Sequence, residues 1–217
     1  MRSPRVVIGF VLAATLVACS APSPSPKPDC PHAAPTAVEA QSILADAGQA
    51  VVKTNKGDFT MELYGDAAPI ATANFVALAR CGFYDGISFH RVLAGFVVQA
   101  GDPQTKHNRG DFEALGSGGP GYKFAIEPPA DNLNYDPYVV AMANDGQANG
   151  SQFFIDLADL NGRLARAYTI FCKVTDGTDV IDKIGALPVN GPNGLPLDPA
   201  IIDSITIQAP PAASPTG

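Results

Sequence analysis

The side chains able to do chemistry are few, and their neighbours narrow what they can do. Across 217 residues there are only three histidines, His32, His90 and His107, which leaves little from which to build a zinc site or a Ser/His/Asp relay. Ser151 stands before Gln152-Phe153-Phe154, outside any G-x-S-x-G elbow that would expose a nucleophile. Gly116 to Gly121 is glycine-rich but lacks the Lys-Ser/Thr of a phosphate loop and is followed by no helical pattern, which argues against nucleotide binding. No two cysteines stand at CxxC spacing. Neither a metal nor a cofactor is expected. What remains is one cation among rings and amides: Arg91 in Phe89-His90-Arg91-Val92, followed by Phe96, Val97 and Gln99, with a second ring-and-amide run at Gln152 and Phe154. Such an arginine either closes a barrel end through a buried ion pair or offers a rigid, always charged donor to a ligand. His90 is one residue along the strand from Arg91 and should face the other way, as a satisfied structural histidine. Asp145, Asp156 and Asp159 read as solvated loop charges.

The elements that must hold these residues are mostly short strands. Val51–Thr54 and Phe59–Tyr64 alternate on either side of Asn55-Lys56-Gly57-Asp58, the composition of a hairpin turn. Pro69 to Arg80 carries Ala71, Phe75, Leu78 and Ala79 at helical spacing, with Pro69 in the first turn and Gly82 just past the end, so a helix is expected there. Strand-like runs follow at 87–92, 96–100, 139–143, 152–156, 168–174 and 201–207, with a second helix over 179–184 ending at Gly185. About eight short strands, Gly-rich loops and two helices predict a mainly β fold: a closed, antiparallel, eight-stranded β-barrel with two flanking helices.

The run Phe89-His90-Arg91-Val92-Leu93-Ala94-Gly95-Phe96-Val97-Val98-Gln99-Ala100-Gly101-Asp102 resembles the central signature of the cyclophilins, peptidyl-prolyl cis-trans isomerases. Other motifs agree in the same order: Ala68-Pro69 with Asn74-Phe75, the run Gly116 to Gly121, and Met142-Ala143-Asn144 with Asn149 to Ile155. The resemblance implies a cyclophilin-like barrel that rotates Xaa-Pro bonds, with Arg91 as its catalytic arginine. It implies a proline pocket at Phe96, Val97 and Phe154 and a peptide groove at Gln99, Ala143, Asn144 and Gln152. Leu164 and Tyr168 are more loosely aligned pocket residues. Val97 stands where the family usually has Met, and Tyr168 where it often has His. The chain has no Trp, so binding of cyclosporin would be weakened. Residues 144–149 are one shorter than the family pattern, and Arg109 to Leu115 looks like an insertion. Proline-containing segments of exported proteins are the implied partners. A tethered proline-peptide binder or holdase with little catalysis is the alternative, because the groove residues serve binding as well as turnover.

The ends of the chain predict where it works. Arg2 and Arg5 precede an apolar run from Val6 to Val17, and Ala18 precedes Cys19, the form of an export signal. Leu16-Val17-Ala18-Cys19 resembles a bacterial lipobox, which implies cleavage after residue 18, a lipidated Cys19 and an extracytoplasmic protein anchored to the cell membrane. The apolar run is short of the roughly 20 residues that a spanning helix needs. Residues 19–48 read as a Pro/Ala/Ser-rich linker, 49–208 as the isomerase domain and 209–217 as a disordered tail. With Cys19 lipidated, Cys30, Cys81 and Cys172 are left, and one disulfide can form among them. A formal charge of −7, from 14 basic and 21 acidic residues with no basic cluster, argues against nucleic acid.

Overall fold

The computed structural model describes residues 26–107 and 115–210. Cys19 and the signal segment, most of the insertion, and the tail from residue 211 lie outside the described residues.

Helix α1 (Ala37–Leu44) lies inside the stretch expected to be a linker. Its start is a capping box: Thr36 and Glu39 each bond the other's backbone N–H, at 3.3 and 2.8 Å. It packs on α2 (Pro69–Arg80), where Arg80 reaches back to the Ile43 carbonyl at 3.0 Å. A disulfide joins Cys30 to Cys81 at the end of α2, Lys27 pairs with Asp85, and Cys172 is free and buried. Residues 26–48 therefore dock on the domain, and among the described residues the α-helices number three with α3 (Thr178–Gly185), not two.

Helix α2 has no side-chain cap at Ala68. Its free N–H groups are met from a distance by Glu127, whose carboxylate accepts from Ile70 at 3.0 Å and Ala71 at 2.8 Å, a charge suited to the positive end of a helix. The buried face carries Phe75 into a set of rings with Tyr84, Phe153 and Phe171, at centroid distances of 5.2, 5.9 and 5.3 Å. These rings lie in the main core, inside the curve of the sheet.

The sheet comprises β1 (Gln49–Thr54), β2 (Gly57–Leu63), β3 (Arg91–Leu93), β4 (Val97–Ala100), β5 (Val139–Asn144), β6 (Ala148–Asp156), β7 (Ile170–Asp176) and β10 (Ile202–Gln208). A separate pair, β8 (Val189–Asn190) and β9 (Leu195–Pro196), forms a small hairpin. The order in the large sheet is β10-β1-β2-β7-β5-β6-β4-β3, with antiparallel pairing throughout. The expected closed barrel is thus corrected to an open, curled sheet with β10 and β3 as its edges. Where the edges approach, the chain before β3 runs beside the start of β10 through one isolated bridge, Ser88 to Ile201, and no ladder joins the two strands.

Because side chains alternate across a strand, the sheet has two buried faces. Val98, Ala100, Phe153 and Ile155 point into the main core. Their neighbours Val97 and Phe154 belong to a second apolar cluster on the other face, with Tyr135, Val139, Ala141, Leu160 and Ile170. That second cluster is the floor of the candidate site.

Candidate active site

One cross-strand row sets the site. Arg91 on β3 lies opposite Gln99 on β4, Gln99 opposite Phe154 on β6, and Phe154 opposite Ala141 on β5. Paired residues share a face, so a cation, an amide and a ring stand side by side on the outside of the curled sheet. The turn after β3 adds Phe96, whose carbonyl accepts from Leu157 at 2.9 Å. Phe96, Leu164, Ala143 and Tyr168 are half-buried against the second cluster, and Tyr168 meets Phe154 edge to face at 5.3 Å. The structure thus brings Phe96, Val97, Phe154, Leu164 and Tyr168 into one apolar patch beside Arg91.

Polar contacts run away from that patch in one direction. Arg91 Nη1 donates to Gln99 Oε1 at 3.3 Å, Gln99 Nε2 to Gln152 Oε1 at 2.9 Å, and Gln152 Nε2 to the Gly118 carbonyl at 2.8 Å. No carboxylate pairs with Arg91 among the described residues. One guanidinium N–H is used on Gln99, which leaves others for a ligand. Next to Gln99 a groove of about 560 Å³ is lined by the Gly-rich loop, Ala143, Asn144 and Asn149. The Asn144 side chain is itself engaged, donating to the Ala167 carbonyl at 2.9 Å and accepting from Gly146 N at 3.3 Å. Its backbone, rather than its amide, is what a peptide would meet.

The alternatives weighed from sequence meet specific obstacles. Ser151 is fully buried and its hydroxyl donates to the Gly101 carbonyl at 2.7 Å, so it is no nucleophile. His90 is buried as expected; neither ring nitrogen meets hydrogen-bond geometry with a partner among the described residues, though the Ser88 backbone lies near enough to favour the charged ring. Burial pulls its pKa down to about 4 and keeps the ring neutral, against the opposing pull of Asp102. Asp145 and Asp159 are exposed, but Asp156 is fully buried and neither of its oxygens has a partner among the described residues. It lies opposite Val97, on the same face as Phe154.

Sequence reasoning missed several contributors. Leu160 is fully buried within the apolar patch, and Arg163 stands 5.7 Å over the Phe96 ring. Tyr122 donates to Asn74 Oδ1 at 2.7 Å beside the Gly-rich loop, and burial pushes its pKa up to about 12. Their only sequence signal was proximity to a motif, since the loops that carry them have no periodicity.

Among the described residues the arrangement holds no nucleophile and base within reach of one another. It offers an apolar depression, a fixed cationic donor at its edge and a groove for extended chain. A family model described as cyclophilin type peptidyl-prolyl cis-trans isomerase/CLD matches residues 50–207. A probable peptidyl-prolyl cis-trans isomerase A of Mycobacterium leprae is 42% identical over 186 residues, covering 77% of this chain and 95% of the relative. A crystal structure of a cyclophilin type peptidyl-prolyl cis-trans isomerase of Cryptosporidium parvum superposes with a TM-score of 0.66 at 32% identity, over 76% of this chain and 99% of the other. A second structure of that protein, obtained in the presence of the dipeptide Ala-Pro, gives a TM-score of 0.65 at 33% identity, over 74% and 99% of the two chains.

Proposed function

The chain belongs to the cyclophilin-type peptidyl-prolyl cis-trans isomerases, and from that premise we propose that Arg91 and the apolar patch beside it rotate Xaa-Pro bonds of exported proteins at the cell envelope. Rotation needs no nucleophile, cofactor or proton carrier, only relief of a barrier of about 18 to 20 kcal/mol set by amide resonance. The planar amide is more polar than the twisted one. An apolar pocket at Phe96, Val97, Phe154 and Leu164 therefore disfavours the ground state. A guanidinium N–H aimed at the prolyl nitrogen favours the twisted form, because the nitrogen lone pair becomes available only when conjugation breaks. Going from about 0.01 per second to an ordinary turnover near 10 per second takes about 4 kcal/mol. A hydrogen bond from a charged donor supplies about 1.5 to 3 of that. Desolvation and the grip of Gln99, Ala143 and Asn144 on the flanking peptide supply the rest, while Gln152, expected in the groove, is fully buried and acts only from behind Gln99.

The observation that carries the catalytic reading is the Arg91–Gln99–Phe154 row, which sets a guanidinium at the edge of an apolar depression. The envelope reading rests on the lipobox-like run ending at Cys19, which implies a diacylglyceryl anchor with acylation such as palmitate. The Cys30–Cys81 disulfide supports it independently, since such bonds persist in oxidising compartments. The test is isomerase activity on an Ala-Pro peptide in washed membranes and in the soluble fraction of cells producing the full chain. Activity should be in the membranes for the wild type and leave them for Cys19→Ala. Equal partitioning of the two forms would contradict the anchor.

A further inference from the structure

We propose that Asp102, which touches neither the pocket nor the groove, is a positioning residue that fixes the direction of the Arg91 guanidinium through the Gly-rich loop and two glutamines. Asp102 is fully buried and takes part in no ion pair among the described residues. Its carboxylate instead gathers three backbone N–H groups, from Gln104 at 2.8 Å, Gly116 at 2.6 Å and Gly118 at 3.2 Å. The loop is drawn so close that a Cβ on Gly118 would stand 2.1 Å from Asp102 Oδ1, so only glycine fits. The Gly118 carbonyl is thereby held where Gln152 Nε2 meets it at 2.8 Å. From there the chain passes through Gln152 Oε1 and Gln99 Nε2 to Gln99 Oε1 and Arg91.

The two ends of this chain allow only one arrangement between them. Arg91 can only donate, and the Gly118 carbonyl can only accept. Gln99 must therefore show its oxygen to Arg91 and its NH2 to Gln152, and Gln152 must show its oxygen to Gln99 and its NH2 to Gly118. Turning either amide over sets donor against donor at one contact and acceptor against acceptor at the other. Gln152 is fully buried, with its own N–H held by Asn149 Oδ1 at 2.8 Å, so water does not readily replace a lost partner. Displacing the loop removes the acceptor that orders Gln152, frees Gln99 to turn, and releases the guanidinium from its contact with Gln99. Precision of this kind matters because a donor made for the transition state loses its value when it wanders.

The proposal rests on the reading of Arg91 as the transition-state donor, and the experiment separates the two. Asp102→Asn replaces one acceptor oxygen with an NH2 facing backbone N–H groups. It should lower kcat about tenfold while KM changes less than about twofold, with circular dichroism unchanged. In an Arg91→Ala background the same substitution should cost almost nothing more, because the residue it positions is gone. In NMR, the Arg91 side-chain N–H signals should lose order in Asp102→Asn. An equal fractional loss of rate in both backgrounds, or an Arg91 side chain as ordered as in the wild type, would overturn the proposal. If Arg91→Ala keeps wild-type turnover, the reading of Arg91 fails, and the order of its side chain in Asp102→Asn still decides whether Asp102 positions it. Should Asp102→Asn fail to fold, Gln152→Met cuts the same chain nearer Arg91 and must loosen that side chain equally.

Discussion

Two aspartates are fully buried at opposite ends of β4, and they are treated in opposite ways. Asp102, just past the end of the strand, receives three backbone N–H groups and anchors the Gly-rich loop. Asp156, opposite Val97 at the start of the strand, receives none among the described residues. Its neighbours are the apolar members of the second cluster and the residues before β5, where Asp136 adds a like charge. Burial first and Asp136 second push its pKa up to about 8. The polar side of the groove is therefore set by directed hydrogen bonds, and the apolar side is packed around an acid that stays neutral by keeping its proton. The same residue type serves as a loop anchor at one place and as a polar filler at the other, according to the donors that the backbone presents.

The largest effect that would sharpen this contrast is on stability against pH. A carboxyl whose folded pKa is raised holds its proton more tightly folded than unfolded. Its effect on stability is nil below the ordinary aspartate value of about 3.9, and the folded state weakens as pH rises from there to about 8. The loss amounts to a few kcal/mol on the order-of-magnitude scale of about 1.4 per pKa unit. Asp156→Asn does not titrate, so its melting temperature relative to the wild type should climb between about pH 5 and about pH 8. Parallel profiles for the two forms would break the contrast, because Asp156 would then have a partner when ionised.

A smaller effect concerns the residue across from Asp156. Val97→Met adds roughly one methylene to the pocket floor and should raise kcat/KM on an Ala-Pro peptide by about fourfold, the worth of about 0.8 kcal/mol of apolar contact. A fall in kcat/KM would mean that the floor is already filled against Asp156 and that the larger side chain overpacks it.

How much of this was legible beforehand depended on whether the signal was local. Helix α2 was readable to the residue, because Pro69 and Gly82 bracket a 3.6-residue pattern. The shared face of Arg91, Gln99 and Phe154 was readable because strand alternation follows from their spacing, whereas the full burial of Gln152 was not. Helix α1 was missed although Thr36 and Glu39 spell a capping box, since the Pro-rich composition before it suggested a spacer and only Ala40 is buried. Whether the sheet closes was not legible, because it depends on how far β10 and β3 approach after the whole sheet has curled. Nor was the burial of Asp156: at the end of β6 an aspartate looks like a loop charge until the segment after it folds back with Leu160. The disulfide partners were undecidable from three cysteines, and the docking of residues 26–48 on α2 brings Cys30 and Cys81 together.

The central claim is that Arg91 acts on the twisted bond rather than on the bound peptide, and turnover and affinity measured together on Arg91→Ala test it most directly. Isomerisation of an Ala-Pro peptide should slow by one to two decades, from the about 1.5 to 3 kcal/mol of a hydrogen bond to a charged group, while the Kd for that peptide changes less than about twofold. A Kd that weakens in proportion to the loss of rate would make Arg91 a uniform binding residue and contradict the account.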